Sequence, residues 1–404
     1  MKGPRQASLA FILVSILLST LGVGIIIPVL PRLVTSFVGG DLASGSLYYG
    51  AFVTVYAAMQ FVFAPIIGGL SDRYGRRTVL LTSQVGAALD YVLLTFAPDL
   101  SWLFIGRVIG GITGASFSTA TAYVADVTPP EKRAQSFGLM GAAFGLGFII
   151  GPALGGVLGG FNPRWPFAGA AALNMVNACY GLFVLPESLP VEKRRPFSLL
   201  RSNPFGSFAN LGKHPIVLGL TGTLFCSYLA QQMLQSIWAL SWQGRLDWQP
   251  MDVGLSLAAV GTMGALVQGG LIRLAVPRLG ERGAMMAALS VSIIGFCAFG
   301  SVTESWMVYA VIPVFSLGGM AGPAAQALIS REVSASEQGQ LQGSLTSLNS
   351  LAAILSPLIA TSLFAHFSQA TATPHLPGAP FFAAAACNAL GLMVAIRIAR
   401  RLAR

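Results

Sequence analysis

Gly68-Gly69-Leu70-Ser71-Asp72-Arg73-Tyr74-Gly75-Arg76-Arg77 is a short stretch of glycine and charge set between two long apolar runs, 46–70 and 79–97. Each run is long enough to carry a helix across the ~30 Å of hydrocarbon in a bilayer. The glycines allow a tight turn and close helix approach, Asp72 can accept hydrogen bonds at a helix end, and the arginines suit the headgroup level. Taken alone, the stretch also fits a plain topology signal made of positive charge.

The same alternation continues along the chain. Of 404 residues 54% are hydrophobic and 9% charged, against roughly 25% charged in a soluble domain, which excludes a soluble globular protein. Apolar runs suited to crossing a bilayer lie at 8–30, 46–70, 79–97, 102–124, 135–159, 166–185, 214–240, 251–274, 281–301, 304–328, 340–366 and 378–398. The first is too long for a signal-peptide core and ends in Pro28-Val29-Leu30-Pro31 without a small-residue cleavage site, so it reads as a retained helix. With both termini cytoplasmic, every Lys and Arg falls on the cytoplasmic side except Arg32, Arg164, Arg245 and the embedded Arg107. The net charge of +10 is thereby explained by membrane topology, with no nucleic acid as partner. Cys179, Cys226, Cys297 and Cys387 sit inside apolar runs without paired spacing, so neither a disulfide nor a metal site is expected.

A repeat divides the chain. Arg73-Tyr74-Gly75-Arg76-Arg77 returns 205 residues later as Arg278-Leu279-Gly280-Glu281-Arg282; Asp126-Val127-Thr128 with Glu131 returns 206 later as Glu332-Val333-Ser334 with Glu337; Pro152 returns as Pro357, again 205 later. The expected fold is an all-α integral membrane protein of twelve transmembrane helices, in two parallel-repeat six-helix bundles around a central cavity. The domains are 1–185, a cytoplasmic linker 186–213, and 214–404. Such a duplication suits a transporter that alternates access around a central site. There is no Gly-x-x-x-x-Gly-Lys-Ser/Thr phosphate loop, no His-Glu-x-x-His and no paired-cysteine metal site, so neither an enzyme nor an ATP-driven pump is indicated.

The loop from Gly68 to Arg77 is similar to the signature loop of the major facilitator superfamily, whose aspartate and arginines latch the two halves. That resemblance makes Asp72, Arg73, Arg76 and Arg77 candidate gating residues. Gly147-Phe148-Ile149-Ile150-Gly151-Pro152-Ala153-Leu154-Gly155-Gly156 fits a close-packed, bendable helix face, and resembles the motif that marks drug:proton antiporters, adding Gly151 and Pro152 to the gate. Gly22-Val23-Gly24-Ile25-Ile26-Ile27-Pro28, Leu89-Asp90-Tyr91, Ile105-Gly106-Arg107, Leu185-Pro186-Glu187-Ser188 and Gln338-Gly339-Gln340-Leu341-Gln342-Gly343 further resemble the twelve-helix TetA-type, tetracycline-efflux branch.

Embedded charge suggests the mechanism. An ionised residue at the bilayer centre costs about 2.5–3.5 kcal/mol on the insertion scale, so it faces a cavity or a partner. Asp90 is the acid nearest the middle of a span, placed either to bind and release a proton or to form a structural pair. Arg107 either snorkels to the outer interface or, by its resemblance to the superfamily's fourth-helix arginine, serves as charge partner to an acid. Where that motif usually has glutamine, this chain has Gly110.

Several charges of the tetracycline pumps are missing: Ser19 and Ser292 replace aspartates and Gly264 replaces a histidine, while Gln268 is retained. Gln231, Gln232, Gln235 and Trp238 recur at helical spacing on the seventh span, a face suited to a flat, partly polar ligand, with Gln268, Asn174 and Asn177 as further candidates. Gln326 and Asn349 also offer polar groups within spans. The resulting expectation is a monomeric multi-pass exporter in the bacterial cytoplasmic (inner) membrane. It would exchange a drug-like molecule, tetracycline-type or multidrug, for protons. Its partners would be the small molecule, protons and the lipid bilayer; it needs no cofactor, magnesium entering only as part of a chelated substrate. The alternative is a uniporter or importer of an organic metabolite on the same fold.

Overall fold

The computed structural model describes residues 9–197, 215–333, 338–369 and 371–402. The regular elements in them are helical: α1 (Leu9–Ile26), α2 (Leu30–Phe37), α3 (Leu42–Tyr74), α4 (Arg76–Phe96), α5 (Leu100–Gly114), α6 (Phe117–Val127), α7 (Arg133–Phe161), α8 (Trp165–Phe183), α9 (Pro215–Leu246), α10 (Pro250–Leu266), α11 (Ile272–Gly300), α12 (Ser305–Leu317), α13 (Ala321–Arg331), α14 (Gln338–Phe367) and α15 (Ala379–Leu402). Ser334 and Glu337 of the repeat, and residues 198–213 of the expected linker, lie outside the described residues.

Among the described residues, ten helical stretches are long and apolar enough to cross a membrane. Two features bring the passes to the expected twelve. The stretch Pro250–Gly300 runs 51 residues, far more than one crossing needs. It breaks at Gly280, whose φ of 68° lies in the left-handed region that favours glycine. The helix Trp165–Phe183 carries Asn174 and Asn177, which lower its hydropathy without interrupting it.

Local chemistry explains where the helices depart from the apolar runs. The first span does not end at 30. Pro28 cannot donate to the helix ladder, so tighter bonds from Ile27 N to Gly24 O and Val29 N to Ile26 O, both 3.2 Å, turn the chain into α2. A π-helical turn, Val267–Leu271, interrupts what the pattern predicts as a plain helix over 251–274. Asp99 caps α5, accepting from Ser101 N at 2.8 Å and Trp102 N at 3.2 Å, the usual way an aspartate satisfies the first free donors of a helix.

The helices form two compact units. One holds α1, α2, α3 from Val55 onward, α4–α8, and Gln249–Ala258 at the start of α10; the other holds Val38–Thr54 with α9, α10 from Ala259 onward, and α11–α15. The two short segments depart from a division at 186–213, and their contacts explain why. In the first unit, a Cβ on Gly156 would stand 2.7 Å from Pro250 O, and one on Gly254 would overlap the Pro152 carbonyl. In the second unit, Thr54 Oγ1 donates to Ile354 O at 3.2 Å, and Gly50 lies against Thr361.

Packing of the first unit rests on a glycine seam between α1 and α7. A Cβ on Gly147 would come 2.7 Å from Thr20 and one on Gly151 2.9 Å from Gly24 Cα, while one on Gly155 would run into the Ile25 carbonyl. Small residues let the backbones touch, which is how helices associate where lipid removes the hydrophobic drive. Gly155→Val is therefore expected to destabilise the protein by roughly 2 kcal/mol or more, whereas Gly145→Ala, with nothing within 4 Å of the new Cβ, is expected to be neutral. Thermal melting in detergent checks both.

The second unit has an aromatic core in which Trp242 stacks on Phe381 at 5.4 Å and meets Trp238 edge-on at 5.5 Å. Arg245 closes it, donating to Phe299 O, Gly300 O and Val302 O at 3.2, 3.0 and 2.5 Å. Its cation thus meets the carbonyl end of α11, the negative end of that helix's dipole.

Candidate functional site

Asp90 of α4 and Arg107 of α5 face each other inside the first unit, Asp90 Oδ2 standing 3.7 Å from Arg107 Nη2 with side chains 1% and 5% exposed. The arginine does not snorkel; it is the acid's charge partner. Glycine makes the berth, since a Cβ on Gly110 would lie 2.7 Å from Asp90 Oδ2 and one on Gly106 2.8 Å from Oδ1. A glutamine at position 110 would collide with the carboxylate as it stands. Arg107 also lies over the Tyr56 ring at 5.5 Å, a cation–π contact. Tyr56 Oη in turn accepts from Gln60 Nε2 at 3.2 Å.

Hydrogen bonding in the pair is incomplete: Asp90 Oδ1 and Arg107 Nε and Nη2 are buried without a hydrogen-bond partner. A buried ion pair recovers its desolvation cost only when its remaining polar atoms are satisfied. This one is held by charge attraction at 3.7 Å, with Asp90 Oδ1 left without a hydrogen-bond donor.

The charged loop is organised around Arg76 rather than Arg73. Arg76 Nη2 reaches Asp72 Oδ1 at 2.6 Å, its Nε reaches Asp126 Oδ2 on α6 at 3.2 Å, and its Nη1 donates to Ser71 Oγ at 2.5 Å. Arg77 Nη2 donates to Leu182 O at 2.6 Å. Arg73 instead lies over Tyr74 at 5.1 Å and, among the described residues, has no ion pair. In the second unit, Arg331 Nη2 meets Glu281 Oε1 at 2.6 Å. Glu281 lies 205 residues beyond Arg76, and Arg331 immediately precedes Glu332, the counterpart of Asp126, so the second unit also carries an ion pair in this region, with the acid at the position corresponding to Arg76.

Of the expected ligand face, Gln231 and Gln235 on α9 and Gln268 on the π-helical turn are exposed. Gln232 Nε2 meets Asn349 Oδ1 of α14 at 3.4 Å, and Gln326 hydrogen bonds Tyr228. Three candidates are elsewhere. Trp238 is 2% exposed, set edge-on to Trp242 and Phe299. Asn177 bonds to α1, receiving from Ser15 Oγ at 2.8 Å and donating to Ser15 O and Ser19 Oγ, both at 2.9 Å. Asn174 is buried against Gly22 and donates to Ala170 O at 2.9 Å. All three are committed to packing, because a polar or aromatic stripe on a membrane helix serves a neighbouring helix as readily as a cavity.

The model of the Major Facilitator Superfamily matches residues 12–357. The chain belongs to the major facilitator superfamily. It is 41% identical to the class C tetracycline resistance protein of Escherichia coli, over 89% of this chain and 90% of that one, and 40% identical to the class G protein of Vibrio anguillarum, over 86% and 88%. Its fold matches the crystal structure of a bacterial homologue of the human lysosomal transporter Spinster, in the inward-facing and occupied conformation, with a TM-score of 0.76 at 17% identity over 97% of this chain and 96% of that one. It is thus a multi-pass membrane transporter of the major facilitator fold, in the tetracycline-efflux branch.

Two of the three neutral replacements take up packing roles. Ser19 accepts from Asn177 Nδ2, and Ser292 is buried so tightly against Gly318 that a Cβ there would overlap its hydroxyl. Gly264 has nothing within 4 Å of an added Cβ and lies one helical turn before Gln268. The residues least visible beforehand were Gly106 and Tyr56 around Asp90, and Glu187 and Asp126 around Arg76. Asp126 and Glu187 each follow an apolar run at the level of the charged loop, and that shared level was the available signal.

Proposed function

We propose that this transporter exports a drug-like molecule of the tetracycline type, or several such molecules, from the cytoplasm in exchange for protons. It works in the bacterial cytoplasmic membrane, with both termini cytoplasmic and as a monomer. The observation that carries the reading is the buried Asp90–Arg107 pair, with an unpartnered carboxylate oxygen inside a membrane span. A proton arriving from outside binds Asp90 Oδ1, cancels the charge that holds Arg107, and loosens α4 from α5. Its release on the cytoplasmic side restores the pair.

Arg76 centres the cytoplasmic gate with Asp72 and Arg77, Arg73 lying beside it over Tyr74, and Gly151 and Pro152 in the α7 seam let that helix move against α1. Gln231, Gln232, Gln235 and Gln268 hydrogen bond the substrate. No cofactor takes part; magnesium enters only if the substrate is a chelate, and the chain performs no catalysis. The relatives' resistance to tetracycline supports the choice of substrate class.

Everted membrane vesicles energised to an acidic interior test this reading. They are expected to accumulate tetracycline or another drug-like compound from a panel, and to lose it when a protonophore is added. Accumulation that ignores the protonophore, or its absence for the whole panel, overturns the reading.

A further inference from the structure

The segment after α8 is not a free linker at its start. Tyr123 Oη donates to Pro186 O at 3.0 Å, Ser188 Oγ donates to Asp126 Oδ2 at 3.1 Å, and Arg195 N donates to Asp72 O at 3.1 Å. Leu185 and Leu189 are buried on either side of Glu187. The stretch from Pro186 to Arg195 is thus docked on the charged loop as a strap. Two of its contacts go to the same aspartates that flank Arg76.

Glu187 is the centre of this docking. Its Oε1 accepts from Arg76 N at 2.9 Å, Ser188 N at 3.0 Å and Leu189 N at 3.1 Å, and its Oε2 accepts from Arg77 N at 3.3 Å. The N–H groups of Arg76 and Arg77 belong to the first turn of α4, which has no side-chain cap of its own. An anion at a helix start satisfies orphan donors and meets the positive end of the helix dipole. Room for it comes from Gly75, whose φ of 98° and missing Cβ, which would stand 2.9 Å from Arg194 Nη2 and against the Glu187 carboxylate, both call for glycine.

We infer that Glu187 is a positioning residue for the gate: it caps α4 in trans, fixes the backbone of Arg76, and so sets where that guanidinium meets Asp72 and Asp126. The strap makes the beginning of the inter-half linker a working part of the charged loop. The backbone contacts stand independently of the transport reading, while their consequence for turnover rests on it.

The experiment compares the full-length protein with Glu187→Ala and Glu187→Gln in two measurements. Hydrogen exchange in detergent or nanodiscs is expected to rise roughly tenfold or more in Glu187→Ala at the peptides covering Arg76–Leu80 and Leu185–Leu189, with exchange in α9 and α14 unchanged. In vesicles, Glu187→Ala is expected to cut maximal transport roughly tenfold with KM held within about twofold, because no group that touches substrate has changed. Glu187→Gln, which keeps one carbonyl acceptor, is expected to recover part of both. Unchanged exchange in Glu187→Ala overturns the proposal, as does loss of transport matched by an equal loss of folded protein, or no recovery by glutamine. Absence of transport in the parent protein refutes the functional reading instead, and the exchange measurement still decides the strap.

Discussion

Asp90→Asn is expected to lower proton-driven export by on the order of a hundredfold, the scale on which removing a proton-transferring group acts. Asparagine nearly matches the aspartate in shape, so the berth between Gly106 and Gly110 still accepts it and the protein is expected to fold. What disappears is the site that alternates between charged and neutral. Arg107 then loses the carboxylate it pairs with, and binding of the exported compound is expected to stay within about threefold because the exposed glutamines of α9 are untouched. Initial rates in energised vesicles, set beside equilibrium binding to purified protein, check the two halves of this expectation. Equal losses in binding and transport would point to collapse of the pair instead of loss of the proton.

The second large effect is expected at Arg76. Arg76→Ala removes both ion pairs and the bond to Ser71 together. Asp126 is left partly buried with its charge unpaired by Arg76, and Asp72, more exposed, returns to solvent. Removing one partner of a buried pair costs more than an exposed pair contributes. Because the aspartates are only partly buried, a loss of about 2 kcal/mol in stability and a fall in transport of about tenfold are expected. Arg76→Lys keeps the charge but not the three separate contacts, and is expected to recover less than half of the transport. Arg73→Ala is the contrast: with its guanidinium over Tyr74, it is expected to stay within about twofold of the parent. Transport rates with melting curves for the three variants distinguish a gate centred on Arg76 from one centred on Arg73.

Hydropathy and charge carried most of the fold, because a membrane imposes a fixed length on each helix and a fixed cost on each buried charge. Asp90 stood out for that reason, in a run with no other acid. The choice of partner for Arg107 was open, since a long side chain near a helix end reaches the interface or the bundle equally well from its sequence position. Gly106 stood out only as part of a motif and Gly110 only as a departure from its usual glutamine; that they make room for a carboxylate depends on the rotation of α5 about its axis. Trp238 and Asn177 show the same limit from the other side. A helical stripe identifies a face, but in a membrane protein lipid, neighbouring helix and cavity can each receive it, and here packing took both residues. Arg76 was one of three arginines in the loop, and three-dimensional neighbours on α6 and beyond α8 select it.

The central claim is that movement of the compound and movement of the proton are one process, joined at the Asp90–Arg107 pair. Purified protein in liposomes carrying a pH indicator, with a substrate identified in the vesicle assay added on one side and no other driving force, measures it most directly. Proton movement opposite to the compound, starting on its addition and absent from protein-free liposomes, is the expected result. Compound crossing at the same rate with and without a pH gradient, with no proton movement, would contradict antiport and leave a uniporter on the same fold.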